Sequence, residues 1–264
     1  WKHMEHKHNN STEEVKIPEL QIHSGWKRLT NLVRRVGLIY WVILIIAALL
    51  VALSLIPDDA LQRFWTKIEE QKVLVSLILI FCVVALSLVW EKGQQIDVWV
   101  FNLFNMRGNR PKWVDWMMLG TTQLGSGFFA IVISVAFYFA IDHLLAYEII
   151  LGSLTLWLVV EIMKLIIRRK RPFIHLKEIR IVGERARGHS FPSGHTSQAF
   201  FTATLLLQHF NAGIVGAITL YSIAFLVGIT RIYVGVHYPR DVIGGSVLGT
   251  VWGILWAIIN SFIR

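Results

Sequence analysis

The chain has 264 residues, of which 55% are hydrophobic and 16% are charged, and its formal net charge is +9. Soluble domains carry roughly 25% charged residues, so this composition and its long charge-free runs exclude a soluble globular domain and indicate an integral membrane protein. The positive charge does not indicate a nucleic-acid-binding protein, because the basic residues lie in loops between apolar runs and not on one soluble face.

The apolar runs predict seven membrane-spanning helices in one all-α, polytopic membrane bundle. Residues 1–36 form a polar N-terminal tail, residues 37–71 hold an extra first span and a loop, and residues 72–264 hold a six-span core. Residues 94–106 mix large apolar residues with Asp97 and two asparagines, which predicts a helix that lies in the membrane interface. The predicted spans are residues 37–56, 73–90, 116–141, 145–167, 193–210, 214–229 and 241–263.

Three polar clusters lie at the ends of these apolar runs. They are Lys164 with Arg171-Pro172, then Pro192-Ser193-Gly194-His195, and finally Thr230-Arg231 with His237 and Asp241. The turns after the third and fifth spans are very short, so consecutive spans are expected to run antiparallel. The end of the fourth span, the start of the fifth, the end of the sixth and the start of the seventh then lie on one membrane side. The sequence therefore predicts that all three clusters share that face.

Lys164 and Arg171 are expected to point the same way, because seven residues are nearly two helical turns, and Pro172 then ends the helix. A lysine inside an apolar span is costly unless it is paired or lines a cavity, which makes Lys164 a candidate functional residue. The alternative is structural: a pair with Glu161 one turn earlier, or a side chain that extends to the membrane surface.

The second cluster is predicted to open a helix, where free backbone N–H groups attract anions. Gly194 lets a phosphate approach the backbone, and Ser193 adds a hydroxyl donor, although both also fit an ordinary helix N-cap. In the third cluster, His237 and Asp241 are four residues apart, so in a helical segment the carboxylate can orient the imidazole and raise its basicity. The alternative is an unrelated aspartate beside a loop histidine.

Taken as one group, the clusters match the chemistry of phosphoryl transfer. Three cations with backbone donors suit the spread charge of a transferring phosphoryl group. One histidine can attack phosphorus while a second protonates the leaving oxygen. A metal site is not predicted, because Cys82 is the only cysteine and no further carboxylates complete a ligand set.

The spacing K-x6-RP, then PSGH, then SR-x5-H-x3-D resembles the type 2 phosphatidic-acid phosphatase superfamily. Thr230 stands where that pattern has serine and keeps the hydroxyl. The resemblance reaches from about Asp97 to the C-terminus and leaves out residues 1–71. It implies that His237 is the nucleophile and forms a phosphohistidine, that Asp241 orients it, and that His195 is the general acid. The groups implied to hold phosphate oxygens, without metal or cofactor, are Lys164, Arg171, Ser193, the Gly194 backbone and Arg231.

The resemblance implies a multi-pass phosphatase of a bacterial plasma (inner) membrane whose substrate partner is phosphatidylglycerophosphate, phosphatidate or undecaprenyl diphosphate. One alternative is a phosphotransferase that uses undecaprenyl diphosphate as donor. Another is a non-catalytic anion-binding transporter, which the absence of visible inverted repeats or interrupted helices argues against. Seven spans place the N-terminus and the site on one side. The basic residues before the first span favour the cytoplasm, whereas the resemblance implies an outward face, so the orientation stays open.

Overall fold

The computed structural model describes residues 72–105, 110–140, 142–177 and 179–263, with side chains to residue 259. These ranges contain helices and loops but no β-strand. The polar tail and the extra first span predicted at 37–56 lie outside the described residues. The helices, in chain order, are α1 (Lys72–Ser87), α2 (Glu91–Phe104), α3 (Lys112–Gln123), α4 (Gly127–Ala140), α5 (His143–Ile167), α6 (Pro172–His175), α7 (Gly194–His209), α8 (Gly213–Tyr233) and α9 (Pro239–Ile263).

Helix α2 leaves α1 at an angle of 95°, so it does not continue the first described span. This direction agrees with the prediction that residues 94–106 do not cross the membrane. Its polar residues, however, face the protein: Gln94 and Asp97 are buried, whereas Trp99 is 64% exposed. The polar face turns inward because Asp97 pairs with two arginines of the bundle.

The span predicted at 116–141 is broken rather than continuous. Helices α3 and α4 meet at 59° across a short break that contains Gly125. A Cβ on Gly125 would lie 2.3 Å from the backbone oxygen of His195, so only glycine permits this close approach to α7. The described residues therefore contain an interrupted helix pair, which the sequence analysis did not predict.

Three described helices, α5, α8 and α9, are long and apolar enough to cross a membrane. The bent pairs α1–α2 and α3–α4 bring the candidate spans among the described residues to as many as five. Helix α7 has 16 residues and a length of about 24 Å, shorter than a full crossing. The described residues thus form an all-helical, multi-pass bundle, while the count of six core spans plus one stays a prediction.

Helix α7 is the central helix, and it packs closely against α9. Glycines recur every four residues along the α9 face that meets α7. A Cβ on Gly249 would lie 2.2 Å from the Ser197 backbone oxygen, so the two backbones approach as closely as small residues allow. This contact sets the start of α9 beside the start of α7, where the Ser193 amide donates to the Asp241 carbonyl at 3.0 Å.

The loop between α6 and α7 is tied down by one side chain at the end of α2. The Asn105 amide nitrogen donates to the carbonyls of Arg180 and Tyr233 at 2.7 and 2.8 Å. Its oxygen accepts from the Arg180 amide at 3.0 Å. Arg180 also pairs with Asp115 of α3, which accepts from the Tyr233 hydroxyl at 2.7 Å. The loop is thereby held over the ends of α3 and α8.

Candidate active site

His237 lies in the short connection between α8 and α9, at the meeting point of the three polar clusters. Its Nε2 is 3.2 Å from Nη1 of Arg171, and its Nδ1 is 3.6 Å from Oδ2 of Asp241. The side chains of His237 and Asp241 are 3% and 0% exposed. Residues far apart in sequence therefore converge on one imidazole, as the span count predicts.

Asp241 lies in the first turn of α9, where the helix dipole favours a carboxylate. Oδ2 accepts the backbone N–H of Tyr238 at 2.8 Å, and Oδ1 accepts from Nη1 of Arg169 at 2.6 Å. Both carboxylate oxygens are therefore held in place. The oxygen fixed by Tyr238 is the one that faces His237.

The surroundings of His237 decide its protonation. Burial lowers the pKa of His237 to about 3, and the charge of Arg171 lowers it too, while Asp241 opposes the shift. The imidazole is therefore neutral near pH 7. A guanidinium can only donate, so Nε2 beside Arg171 carries the lone pair and Nδ1 carries the proton that points at Asp241. This is the tautomer that a nucleophile needs.

Two buried arginines flank the imidazole and are held rigidly. Arg171 donates to the carbonyls of Val236 at 3.1 Å, Gly188 at 3.1 Å and Arg187 at 3.0 Å. Arg231 donates to the Thr122 hydroxyl at 2.7 Å. Such fixed donors stabilise an anion without reorganising when it arrives.

Lys164 makes the structural pair considered from the sequence and also lies near Gly194. The prediction that it shares one helix with Arg171 was wrong, because α5 ends at Ile167 and Arg171 is extended before α6. Nζ of Lys164 is 2.7 Å from Oε1 of Glu161, so the structural pair exists. The same nitrogen lies 4.0 Å from the point where a Cβ on Gly194 would sit, which places it at the start of α7. The Glu161 carboxylate is 41% exposed, so solvent screens this pair and an arriving phosphate can compete for the lysine.

The start of α7 is open rather than capped. Ser193 occupies the N-cap position, but its side chain makes no capping hydrogen bond, and its hydroxyl accepts from Thr196 at 2.9 Å. Ser193 is fully buried, whereas Gly194 and His195 line a cavity. The N-cap alternative is therefore wrong for the serine side chain. The Thr230 hydroxyl donates to the Val227 carbonyl at 2.6 Å, which explains why threonine serves in place of serine.

Two cavities meet at His195. One, of about 510 Å³, runs between α4, α5 and α7, has mostly apolar walls and contains Lys164 and Gly194 at its polar end. The other, of about 790 Å³, lies between α3 and the α6–α7 loop and contains Thr122 and Arg231. The pair suits a molecule with an apolar part and a phosphate. Within the described ranges, no three His, Cys, Asp or Glu side chains are grouped to hold a metal ion.

The sequence profile of the PAP2 superfamily matches residues 143–263, which contain every predicted site residue. The crystal structure of the first transmembrane PAP2 type phosphatidylglycerolphosphate phosphatase from Bacillus subtilis superimposes with a TM-score of 0.63 at 27% identity, covering 72% of this chain and 97% of that one. LpxE of Aquifex aeolicus gives 0.52 at 30% identity, covering 60% of this chain and 93% of that one. The chain belongs to the PAP2 superfamily.

An undecaprenyl-diphosphatase of Sulfolobus acidocaldarius is 26% identical over 194 residues, or 70% of this chain and 90% of that protein. Several other curated PAP2 relatives match only locally, over 28% to 47% of their own length. The relatives that this chain covers most fully are phosphatases, and the chain is an enzyme of that type.

The PAP2 site also contains residues that the sequence analysis did not select. Arg169 contacts Asp241, Asp97 contacts Arg169, and Thr122 contacts Arg231. Two signals pointed to them: eight Lys and Arg residues between Arg168 and Arg187 exceed what membrane anchoring needs, and Asp97 interrupts an apolar segment. Neither signal identifies a partner, because the contacts join segments more than 70 residues apart.

Proposed function

We propose that this protein is an integral-membrane phosphatase that removes the terminal phosphate of a membrane lipid through a phosphohistidine on His237. The observation that supports it most is the neutral imidazole of His237 held between Arg171 and Asp241, in the same cluster as His195, where two cavities meet. We further propose a six-span core with an extra N-terminal span, in a bacterial plasma membrane.

In the first step, the apolar cavity holds the lipid chain, and Arg171, Arg231 and Lys164 bind the phosphate oxygens. Nε2 of His237 attacks phosphorus while the bond to the lipid oxygen breaks. His195 donates its proton to that leaving oxygen, since the bound phosphate anion favours the protonated imidazole. The positive charge that develops on His237 is stabilised by Asp241 through Nδ1–H.

In the second step, the neutral His195 accepts a proton from a water molecule that attacks the phosphorus of the phosphohistidine. The bond between Nε2 and phosphorus breaks, and His237 returns to its neutral form. Inorganic phosphate leaves through the cavity between α3 and the α6–α7 loop, whose walls include Arg187 and Gln123. Each proton taken in one step is returned in the other.

The substrate class follows from the site and from the names of the relatives, which act on phosphatidylglycerolphosphate and undecaprenyl diphosphate. The test is release of inorganic phosphate by the purified protein in detergent from phosphatidylglycerophosphate, phosphatidate and undecaprenyl diphosphate. Release from at least one lipid is expected. No release from any of them contradicts the proposal, and phosphate found on an acceptor lipid instead identifies a phosphotransferase.

Phosphate release is expected to continue in excess chelator and to stop with micromolar to millimolar vanadate. Release is expected to continue in chelator because the proposed steps use only side chains of this chain. Vanadate is expected to inhibit because vanadium adopts the five-coordinate geometry of the reacting phosphorus and bonds to the attacking group. It thereby acts as a transition-state analogue. The measurement is the initial rate with EDTA, with vanadate and with neither. Complete loss in EDTA, restored by a divalent cation, would count against the proposed chemistry.

Filling the apolar cavity is expected to weaken lipid binding selectively. Ser153 lines that cavity on α5, and Ser153→Trp excludes about two methylene groups of a lipid chain. That loss is about 1.6 kcal/mol, or about tenfold in KM. The KM for the small ester p-nitrophenyl phosphate is expected to stay constant. The matched control is Leu158→Trp on the same helix, where the side chain is 53% exposed and does not line the cavity. An equal change in KM for the lipid and for p-nitrophenyl phosphate would contradict the proposal that this cavity holds the lipid chain.

A further inference from the structure

Arg169, two residues before Arg171, is among the largest fully buried side chains of the described part of the chain. Its Nη1 donates to Oδ1 of Asp241 at 2.6 Å. Its Nη2 donates to Oδ2 of Asp97 at 2.5 Å and to Oε1 of Gln94 at 2.7 Å. The guanidinium also lies over the Tyr238 ring at 4.4 Å. Arg169 therefore joins the carboxylate behind His237 to helix α2.

A second arginine completes this arrangement on the far side of Asp97. Nε of Arg240 donates to Oδ2 of Asp97 at 2.7 Å, and the Arg240 amide donates to Oδ1 at 3.1 Å. Charges of alternating sign thus run from Arg240 through Asp97 and Arg169 to Asp241. The Asp97 and Arg169 side chains are each 2% exposed, so each charge depends on its neighbours for compensation.

Arg169 cannot bind substrate directly in this position. Its guanidinium is buried, its Nη atoms are bound to Asp241, Asp97 and Gln94, and Asp241 lies between it and His237. Its effect on the reaction must pass through the carboxylate. By holding Oδ1, Arg169 prevents rotation of the carboxylate and keeps Oδ2 towards Nδ1 of His237.

Asp97 controls how strongly Arg169 acts on Asp241. A buried guanidinium with a single partner would concentrate its charge on that carboxylate and reduce the negative charge that faces the imidazole. Asp97 shares the guanidinium and offsets part of its charge. Asp241 then keeps the capacity to stabilise the positive imidazole that forms during attack.

We propose that Arg169 is the positioning residue of the His237–Asp241 pair, and that Asp97 of α2 holds Arg169 in that role. The proposal rests on the proposed function and assigns a role to a helix outside the region matched by the PAP2 profile. A purely structural ion pair between α2 and α9 is the competing explanation. The two differ in kinetics, since positioning changes kcat and leaves KM nearly constant.

The experiment measures kcat and KM for phosphate release by the full chain in detergent, with whichever of the three lipids named above the wild type hydrolyses fastest. Arg169→Gln is expected to lower kcat about 100-fold, the scale of a small misplacement of reacting groups, with KM within about threefold. Arg169→Lys keeps the charge and is expected to restore part of the loss, to within about tenfold of wild type. Asp97→Asn is expected to lower kcat about tenfold.

Asp142→Ala is the control for lost stability. It removes the carboxylate that caps α5 by accepting the Leu144 amide at 2.7 Å, so the unfolding temperature is expected to fall while kcat stays constant. A kcat within about threefold of wild type in both Arg169→Gln and Asp97→Asn overturns the proposal, as does a loss carried by KM. If Arg169→Gln does not fold, Arg169→Lys and Asp97→Asn decide by the same criteria. Absence of release by the wild type overturns the proposed function instead.

Discussion

His237→Ala is expected to abolish phosphate release, with kcat lower by on the order of 10⁴-fold or more, as for removal of other covalent nucleophiles and their bases. Alanine cannot form the bond to phosphorus, and none of the other described side chains occupies the position of His237 between Arg171 and Asp241. Lipid binding is expected to survive, because Arg171 and Arg231 remain. The measurements are phosphate release, lipid binding to the purified variant, and trapping of acid-labile phosphoenzyme with labelled substrate in the wild type.

His143→Ala serves as the matched control for this variant, since His143 is exposed at the start of α5, away from the site. A second comparison separates the two site histidines. With p-nitrophenyl phosphate, whose leaving group needs no proton, His195→Ala is expected to form the phosphoenzyme at nearly the wild-type rate, whereas His237→Ala forms none. Activity near wild type in His237→Ala, or phosphoenzyme formation without His237, would remove the proposed mechanism.

The grouping of the site could be predicted from the sequence because it depends only on the number and direction of the apolar runs. Short turns make consecutive spans run in opposite directions. This alternation of direction alone brings Lys164, His195 and His237 to one end of the bundle. The structure places Arg171 and Asp241 beside the His237 imidazole and Lys164 with His195 in the wall of one cavity. Their individual roles in the reaction stay predictions until the variants are measured.

The path of the chain was less predictable where backbone contacts decide it. The break between α3 and α4 at Gly125 comes from the approach of the His195 carbonyl, and nothing in the hydropathy of residues 116–141 signals that contact. The direction of α2 was predictable from its mixed composition. The inward turn of its polar face was not, because it depends on the positions of Arg169 and Arg240.

The buried charge network escaped the sequence analysis for a related reason. A motif with fixed spacing identifies residues that lie close along the chain, as His237 and Asp241 do. Arg169 and Asp97 are 72 residues apart, and each alone reads as an ordinary interfacial charge. Only the packing of α2 against the start of α9 and the α5–α6 connection, which carries Arg169, makes them a pair.

Arg171→Lys is expected to lower kcat/KM by about 10²-fold to 10³-fold, the cost of losing one fixed donor to a developing anion. The guanidinium uses Nε, Nη1 and Nη2 to bind three carbonyls and so holds the second N–H of Nη1 towards Nε2 of His237. An ammonium keeps the charge but cannot reproduce this planar set of donors, so it cannot be fixed at the same point. Initial rates over a range of lipid concentrations give the ratio.

Arg168→Lys is the control, because Arg168 lies three residues earlier with an exposed side chain and is expected to keep wild-type kinetics. Vanadate adds a second measurement. If Arg171 stabilises the five-coordinate state more than the bound lipid, its replacement weakens vanadate inhibition by a larger factor than it raises KM. If the replacement weakens vanadate inhibition and raises KM by the same factor, Arg171 contributes to binding alone. Wild-type kcat/KM in Arg171→Lys would show that positive charge at this position suffices and that the fixed geometry of the guanidinium is not required.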